Sequence, residues 1–193
     1  LNYRGVDSIN YNNKQTVSKL WNKDWFKEYP NTKNKILVTL PARITRWKGQ
    51  EDFISLILKL KDDFPDIHGL IVGDAQKGKK KFLKSLRAKV KLNNLTDNIT
   101  FTGHRGDIKE IMLISKIVFS LSNEPEAFGR VSLEALSLGI PVIAYSHGGV
   151  EEQLKKILPS GLVAKNSNQL LYEKTKKFLI QPPIPKKNNH FLL

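Results

Sequence analysis

Two acids have a spacing that could serve chemistry. Glu126 and Glu134 lie eight residues apart in the stretch Ser122 to Ala144, S-N-E-P-E-A-F-G-R-V-S-L-E-A-L-S-L-G-I-P-V-I-A. On one continuous helix that interval is about two turns, roughly 12 Å. Pro125 and Gly129 interrupt the stretch, so Glu134 is expected on a helix and Glu126 in the loop above its N-terminus. Both carboxylates then face one cleft. Between them lies a helix start, whose free N–H groups and dipole attract anions. A ligand with hydroxyls at both ends and phosphates between would suit that layout.

The elements that hold these residues follow from the apolar pattern. Lys116–Leu121 reads as a buried strand, 130–138 as a helix, and Pro141–Ala144 as the next strand. Similar alternation fills residues 35–180. Strands are expected at 36–40, 67–72, 99–102, 117–121, 141–144 and 161–164. Helices are expected at 50–61, 79–92, 107–113, 130–138, from about Gly149, and at 169–179. The fold class is α/β, a Rossmann-like parallel sheet with helices on both faces, which places ligands beyond the C-terminal ends of its strands. Residues 1–34 form a polar lead-in, in which Trp21, Trp25, Phe26 and Tyr29 pack on the core edge or face another domain. The tail 181–193 carries Pro182, Pro183 and Pro185 and cannot continue as helix.

The stretch around the two acids resembles the E-x7-E signature of retaining glycosyltransferases of family 4, in the form P-E-x-F-G-x-x-x-x-E-A-x-x-x-G-x-P-V-I-A. Pro125, Glu126, Phe128, Gly129, Glu134, Ala135, Gly139, Pro141, Val142, Ile143 and Ala144 match it. The segment Arg43-Ile44-Thr45-Arg46-Trp47-Lys48-Gly49 resembles the family's R-x4-K-G element, and Arg4-Gly5-Val6-Asp7 its N-G-V-D segment. The resemblance spans about residues 4–179. It implies the C-terminal, donor-binding half of a two-Rossmann (GT-B) enzyme, whose other half would carry the acceptor site. That enzyme would move a sugar from a nucleoside diphosphate, UDP or GDP, to an acceptor hydroxyl in cell-surface glycan or lipopolysaccharide synthesis.

By the same resemblance, Arg43 and Lys48 hold the donor diphosphate and Glu134 accepts from the ribose hydroxyls. Glu126 meets the donor sugar near the reacting carbon. The main chain around Phe128, Gly129 and Arg130 touches sugar or phosphate. Gly73 and the Gly103-His104-Arg105 turn either line the base site or serve as tight turns. Fixed cations suit this reaction, because the leaving diphosphate gains charge in the transition state. No D-x-D occurs, so neither metal nor cofactor is expected. His147-Gly148-Gly149 could bring amides to a phosphate or simply form a turn.

Composition narrows the alternatives. At 193 residues, 40% hydrophobic and 26% charged, the chain fits one ordinary soluble domain, with the cytoplasm as its default location. It has no cysteine, and no apolar run approaches the roughly 20 residues of a membrane-spanning helix. The net charge of +14 includes a basic helix with Lys79, Lys80, Lys81, Lys84, Arg87, Lys89 and Lys91. Its cations either face water or meet an anionic membrane as a peripheral contact. Nucleic-acid signatures are lacking, so no nucleic-acid partner is expected. Gly73 to Lys80 reads G-x4-G-K-K, but Lys80 replaces the hydroxyl that a phosphate-binding P-loop uses for magnesium. Two other readings remain: a non-catalytic basic Rossmann-like module binding membrane or nucleic acid, and a nucleotide-sugar epimerase or phosphorylase.

Overall fold

Short, largely apolar runs form six parallel strands among the described residues, and the four inner strands are buried on both faces. The computed structural model describes residues 6, 7, 9–76, 78 and 80–186. The strands are β1 (Ile36–Pro41), β2 (Ile67–Val72), β3 (Ile99–Gly103), β4 (Ile117–Ser120), β5 (Val142–Tyr145) and β6 (Leu162–Val163), and they pair in the order β3-β2-β1-β4-β5-β6. Their register runs Ile36↔Ile67 through Pro41↔Val72 between β1 and β2, and Val38↔Ile117 between β1 and β4. The strand order reverses between β1 and β4, which is where open α/β sheets form a crevice.

Among the described residues, seven α-helices connect and flank the strands: α1 (Lys19–Glu28), α2 (Gln50–Asp63), α3 (Lys80–Leu92), α4 (Ile108–Leu113), α5 (Arg130–Ser137), α6 (Gly148–Ile157) and α7 (Asn168–Ile180). Helices α3 and α7 both contact α2 on one face, while α4, α5 and α6 follow one another on the other. Gly69 on β2 lets α2 approach, since a Cβ there would lie 2.9 Å from the Phe53 ring and 3.0 Å from Ile57. Expected boundaries hold within about two residues from β1 to α7.

Within the polar lead-in, Lys19–Glu28 form helix α1, an element not expected there, and its aromatic residues pack on the core edge. Ser18 caps it by accepting from the Trp21 N–H, and Trp21, Trp25 and Tyr29 form a stripe at helical spacing. That stripe packs against Leu37, Leu70, Val72 and Ile111, leaving Trp25 only 2% exposed. Arg4, Gly5, Lys77, Lys79 and 187–193 fall outside the described residues, which removes part of the N-G-V-D and G-x4-G-K segments and of the tail from structural comparison. Among the described residues no helix is long and apolar enough to cross a membrane.

His68, fully buried on β2, is held neutral. Its Nδ1 lies 3.0 Å from the Asp97 carbonyl and its Nε2 2.9 Å from Thr100 Oγ1, a pattern that fits an Nδ1–H donor and an Nε2 acceptor. Burial pushes the imidazole down from 6.5 to about 4. The unfolded chain therefore takes up a proton near pH 6.5 and the folded chain only near 4. Stability falls as pH drops through that window, by about 1.4 kcal/mol per unit from this group. Urea midpoints measured from pH 7 to 5 should decline for the wild type, and His68→Gln should flatten the decline whatever its absolute stability.

Candidate functional site

At the reversal between β1 and β4 lies a cavity of about 210 Å³. Its floor is the strand ends, Leu40 to Arg43 and Phe119 to Ser122, and its rim carries Lys48, Glu126, Gly129, Val131 and Ser132. Four expected site residues thus meet here: Arg43, Lys48, Glu126 and Gly129.

Lys48 is fixed from below and above. Gly49 caps α2 in a left-handed conformation, φ +75°, and a Cβ there would lie 2.1 Å from the Leu121 carbonyl oxygen. The Asn123 N–H donates to the Trp47 carbonyl at 2.6 Å, tying this loop to the end of β4. Lys48 Nζ sits 4.2 Å from the Trp47 ring centroid and 2.5 Å from Glu126 Oε1. Arg43, by contrast, is exposed and makes no ion pair among the described residues.

The Glu126 loop is held by α6. Gly149 N–H donates to the Glu126 carbonyl at 2.8 Å, and His147 Nε2 donates to the Ser122 carbonyl at 2.7 Å. Gln153 Nε2 donates to the Phe128 carbonyl. A Cβ on Gly149 would lie 2.4 Å from the Ala127 oxygen, and one on Gly148 2.7 Å from the Glu126 oxygen. The His147-Gly148-Gly149 turn therefore braces the loop through backbone contact. Sequence reasoning missed this role, and the only signal was the adjacent glycines after a strand.

Gly129 starts α5 with φ +69°, packed so that a Cβ would strike Val150 Cγ2 at 2.2 Å. No side chain caps α5, and the first N–H groups of a helix have no carbonyl four residues back. These groups border the cavity and favour an anion. Ser122 Oγ and Ser132 Oγ, buried in the cavity wall, also lack any hydrogen-bond partner among the described residues, as do Thr45 Oγ1 and Asn123 Oδ1 in the flanking loops and Gln50 Oε1 at the start of α2. Neither serine was singled out from the sequence. Only the fold brings them to one wall.

The remaining expected residues are not among those that line the cavity, so of the two acids expected in one cleft only Glu126 lines it. Glu134, 6% exposed, takes 2.8 Å contact from Arg130 Nε, whose side chain is 79% exposed. Tyr11 lies beside it, its phenol pushed up by burial and then by the Glu134 charge. Phe128 packs half-buried on the core. Gly73 N–H donates to the Gly103 carbonyl at 2.8 Å, joining the ends of β2 and β3, so both glycines serve the turn geometry. Arg105 is clamped by Asp107 at 2.8 and 2.9 Å and Glu28 at 3.0 Å, and its guanidinium lies over Trp25 and Tyr29. These guanidinium bonds hold the Asp107 carboxyl below its usual range. Among the described residues no group of three or more His, Cys, Asp or Glu could hold a metal ion.

An open parallel sheet with helices on both faces and a crevice at its reversal point defines a Rossmann-like domain. The chain belongs to the glycosyl transferases group 1 family, whose model matches residues 22–191. It is 28% identical over 129 residues to N-acetyl-alpha-D-glucosaminyl L-malate synthase of Bacillus anthracis, covering 67% of this chain and 32% of that protein. HepE of Anabaena, solved in complex with UDP and glucose, superposes with a TM-score of 0.80 at 26% identity, over 92% of this chain and 46% of that one. The C-terminal domain of the group 1 glycosyl transferase LpcC from Francisella tularensis shares the fold, with TM-score 0.75 at 23% identity over 92% of this chain and 89% of that domain. The fold is thus that of one half of a two-Rossmann (GT-B) glycosyltransferase, and the chain spans about a third of the length of the relative in Bacillus.

Proposed function

We propose that this chain is the donor-binding half of a glycosyltransferase that moves a sugar from a nucleoside diphosphate to an acceptor hydroxyl, with retention of configuration and without a metal. The observation that carries it is the convergence of Arg43, Lys48, Glu126 and the start of α5 on one cavity. The complex of HepE with UDP and glucose supports a UDP-type donor. In this reading Arg43, Lys48 and the α5 N–H groups hold the diphosphate and stabilise the charge it gains as the sugar leaves. Glu126, adjoining Lys48, faces the donor sugar beside the breaking bond. Glu134 takes the ribose hydroxyls with the oxygen that Arg130 leaves free. The Ser122 and Ser132 hydroxyls supply further donors to ligand oxygens. Acceptor recognition is assigned to a partner Rossmann-like half, and the product to a cell-surface glycan, as the motif resemblance implies. The chain alone is expected to bind donor and turn over little.

Calorimetric titration with UDP, GDP, ADP and ATP, each with and without Mg²⁺, tests this reading. UDP or GDP should bind without metal. Glu134→Ala should weaken that binding at least about tenfold, the loss expected for charge-assisted hydrogen bonds. Binding of ATP alone, and only with Mg²⁺, would sink the proposal.

A further inference from the structure

We infer that the outer face of α3 docks on an anionic phospholipid surface. Helix α3 carries six cations in 13 residues and no acid, whereas every other described helix contains at least one Asp or Glu. Phe82, Leu86 and Val90 form its buried stripe. Lys80, Lys84, Arg87 and Lys91 recur at helical spacing on the exposed side, a row about 16 Å long. Leu92, 83% exposed, stands at the end of that row.

The placement of acids sets α3 apart, since α1, α2, α6 and α7 mix their lysines with Asp or Glu. Lys35, Lys155 and Lys176 find carboxylates at 2.7, 2.8 and 3.1 Å. Among the described residues, none of the α3 cations makes an ion pair. Arg87 lies over the Phe101 ring and Lys89 turns toward Ser55, so four lysines project uncompensated charge. Such a row gains attraction from a planar array of phosphates, while exposed Leu92 can enter the headgroup boundary. Nucleic acid fits less well, because single-strand binding relies on exposed aromatic rings and the only aromatic residue of α3, Phe82, is buried. Helix α3 follows β2, so its N-terminus lies at the cavity edge of the sheet and its docking would hold that edge near the lipid.

Co-sedimentation with vesicles of phosphatidylcholine, alone or mixed with phosphatidylglycerol, tests the inference without any nucleotide. The wild-type chain should bind only the anionic vesicles, more weakly as salt rises. Each basic residue near such a surface contributes about a factor of five, so the combined change Lys80→Gln, Lys84→Gln, Arg87→Gln and Lys91→Gln should lower binding by at least about tenfold. Changing Lys19, Lys23 and Lys27 of α1 to Gln should leave it nearly intact, and Leu92→Ser should weaken it without altering charge. Far-UV circular dichroism checks that each variant is folded. Equal losses from the α1 and α3 changes, or binding to DNA or RNA with no binding to vesicles, would overturn the inference.

Discussion

Lys48→Ala binds UDP about 10²-fold more weakly than the wild-type chain and binds uridine equally well, the loss expected when a charge-assisted phosphate contact disappears. Glu126→Gln behaves oppositely. In the free chain Lys48 Nζ is already engaged by Glu126 at 2.5 Å, in a setting where both side chains are largely shielded. A phosphate must compete with that carboxylate. Removing its charge leaves Lys48 free, so UDP affinity of the variant equals or exceeds the wild type. Sugar transfer by the whole enzyme should nevertheless fall by about 10²- to 10³-fold, the usual cost of losing one preorganised electrostatic contact to the transition state. Parallel titration and transfer assays separate these effects. If Glu126→Gln loses UDP affinity as Lys48→Ala does, the pair is a structural brace and not a shared ligand site.

Gly49→Ala has the largest expected effect on stability. Its left-handed φ of +75° strains any side chain, and the new Cβ would stand 2.1 Å from the Leu121 carbonyl oxygen and 2.5 Å from Leu121 Cβ. Strain and overpacking together should cost about 3 kcal/mol or more. For a domain of this size that lowers Tm by about 10 °C. Gly106→Ala provides the contrast, since a Cβ there meets nothing within 4 Å and its φ lies outside the left-handed range. It should stay within about 0.5 kcal/mol of the wild type. Thermal unfolding by circular dichroism measures both, and a Gly49→Ala protein as stable as Gly106→Ala would show that the β4 end can shift.

The periodic part of the chain was legible because each strand is a short apolar run and each helix a stripe. Helix α1 was not, although Ser18 and the Trp21, Trp25, Tyr29 spacing announce it. Its low apolar content hid the helix, although its four aromatic residues were expected at the core edge, where they cover a second cluster beside β1 and β2. At the cavity, the meeting of Glu126 with Arg43 and Lys48 follows the two motifs that held them. The direct ion pair of Lys48 with Glu126 could not be read from either. The contact of Lys48 with Glu126 joins residues 78 apart, and the clamp of Arg105 on Glu28 joins residues 77 apart. Local sequence holds no record of such contacts, and the second of them ties the Arg105 turn to α1.

The bracing of the 122–129 loop by α6 has a consequence for protein engineering and for divergence within the family. Glu126, Ala127 and Phe128 present backbone to Gly148, Gly149 and the Gln153 amide, with no Cβ tolerated at either glycine. Grafting the loop of a homologue without its companion helix should therefore yield a misshapen pocket. Chimeras that exchange 122–129 and 147–153 together should keep it, and across homologues the two segments should change in concert.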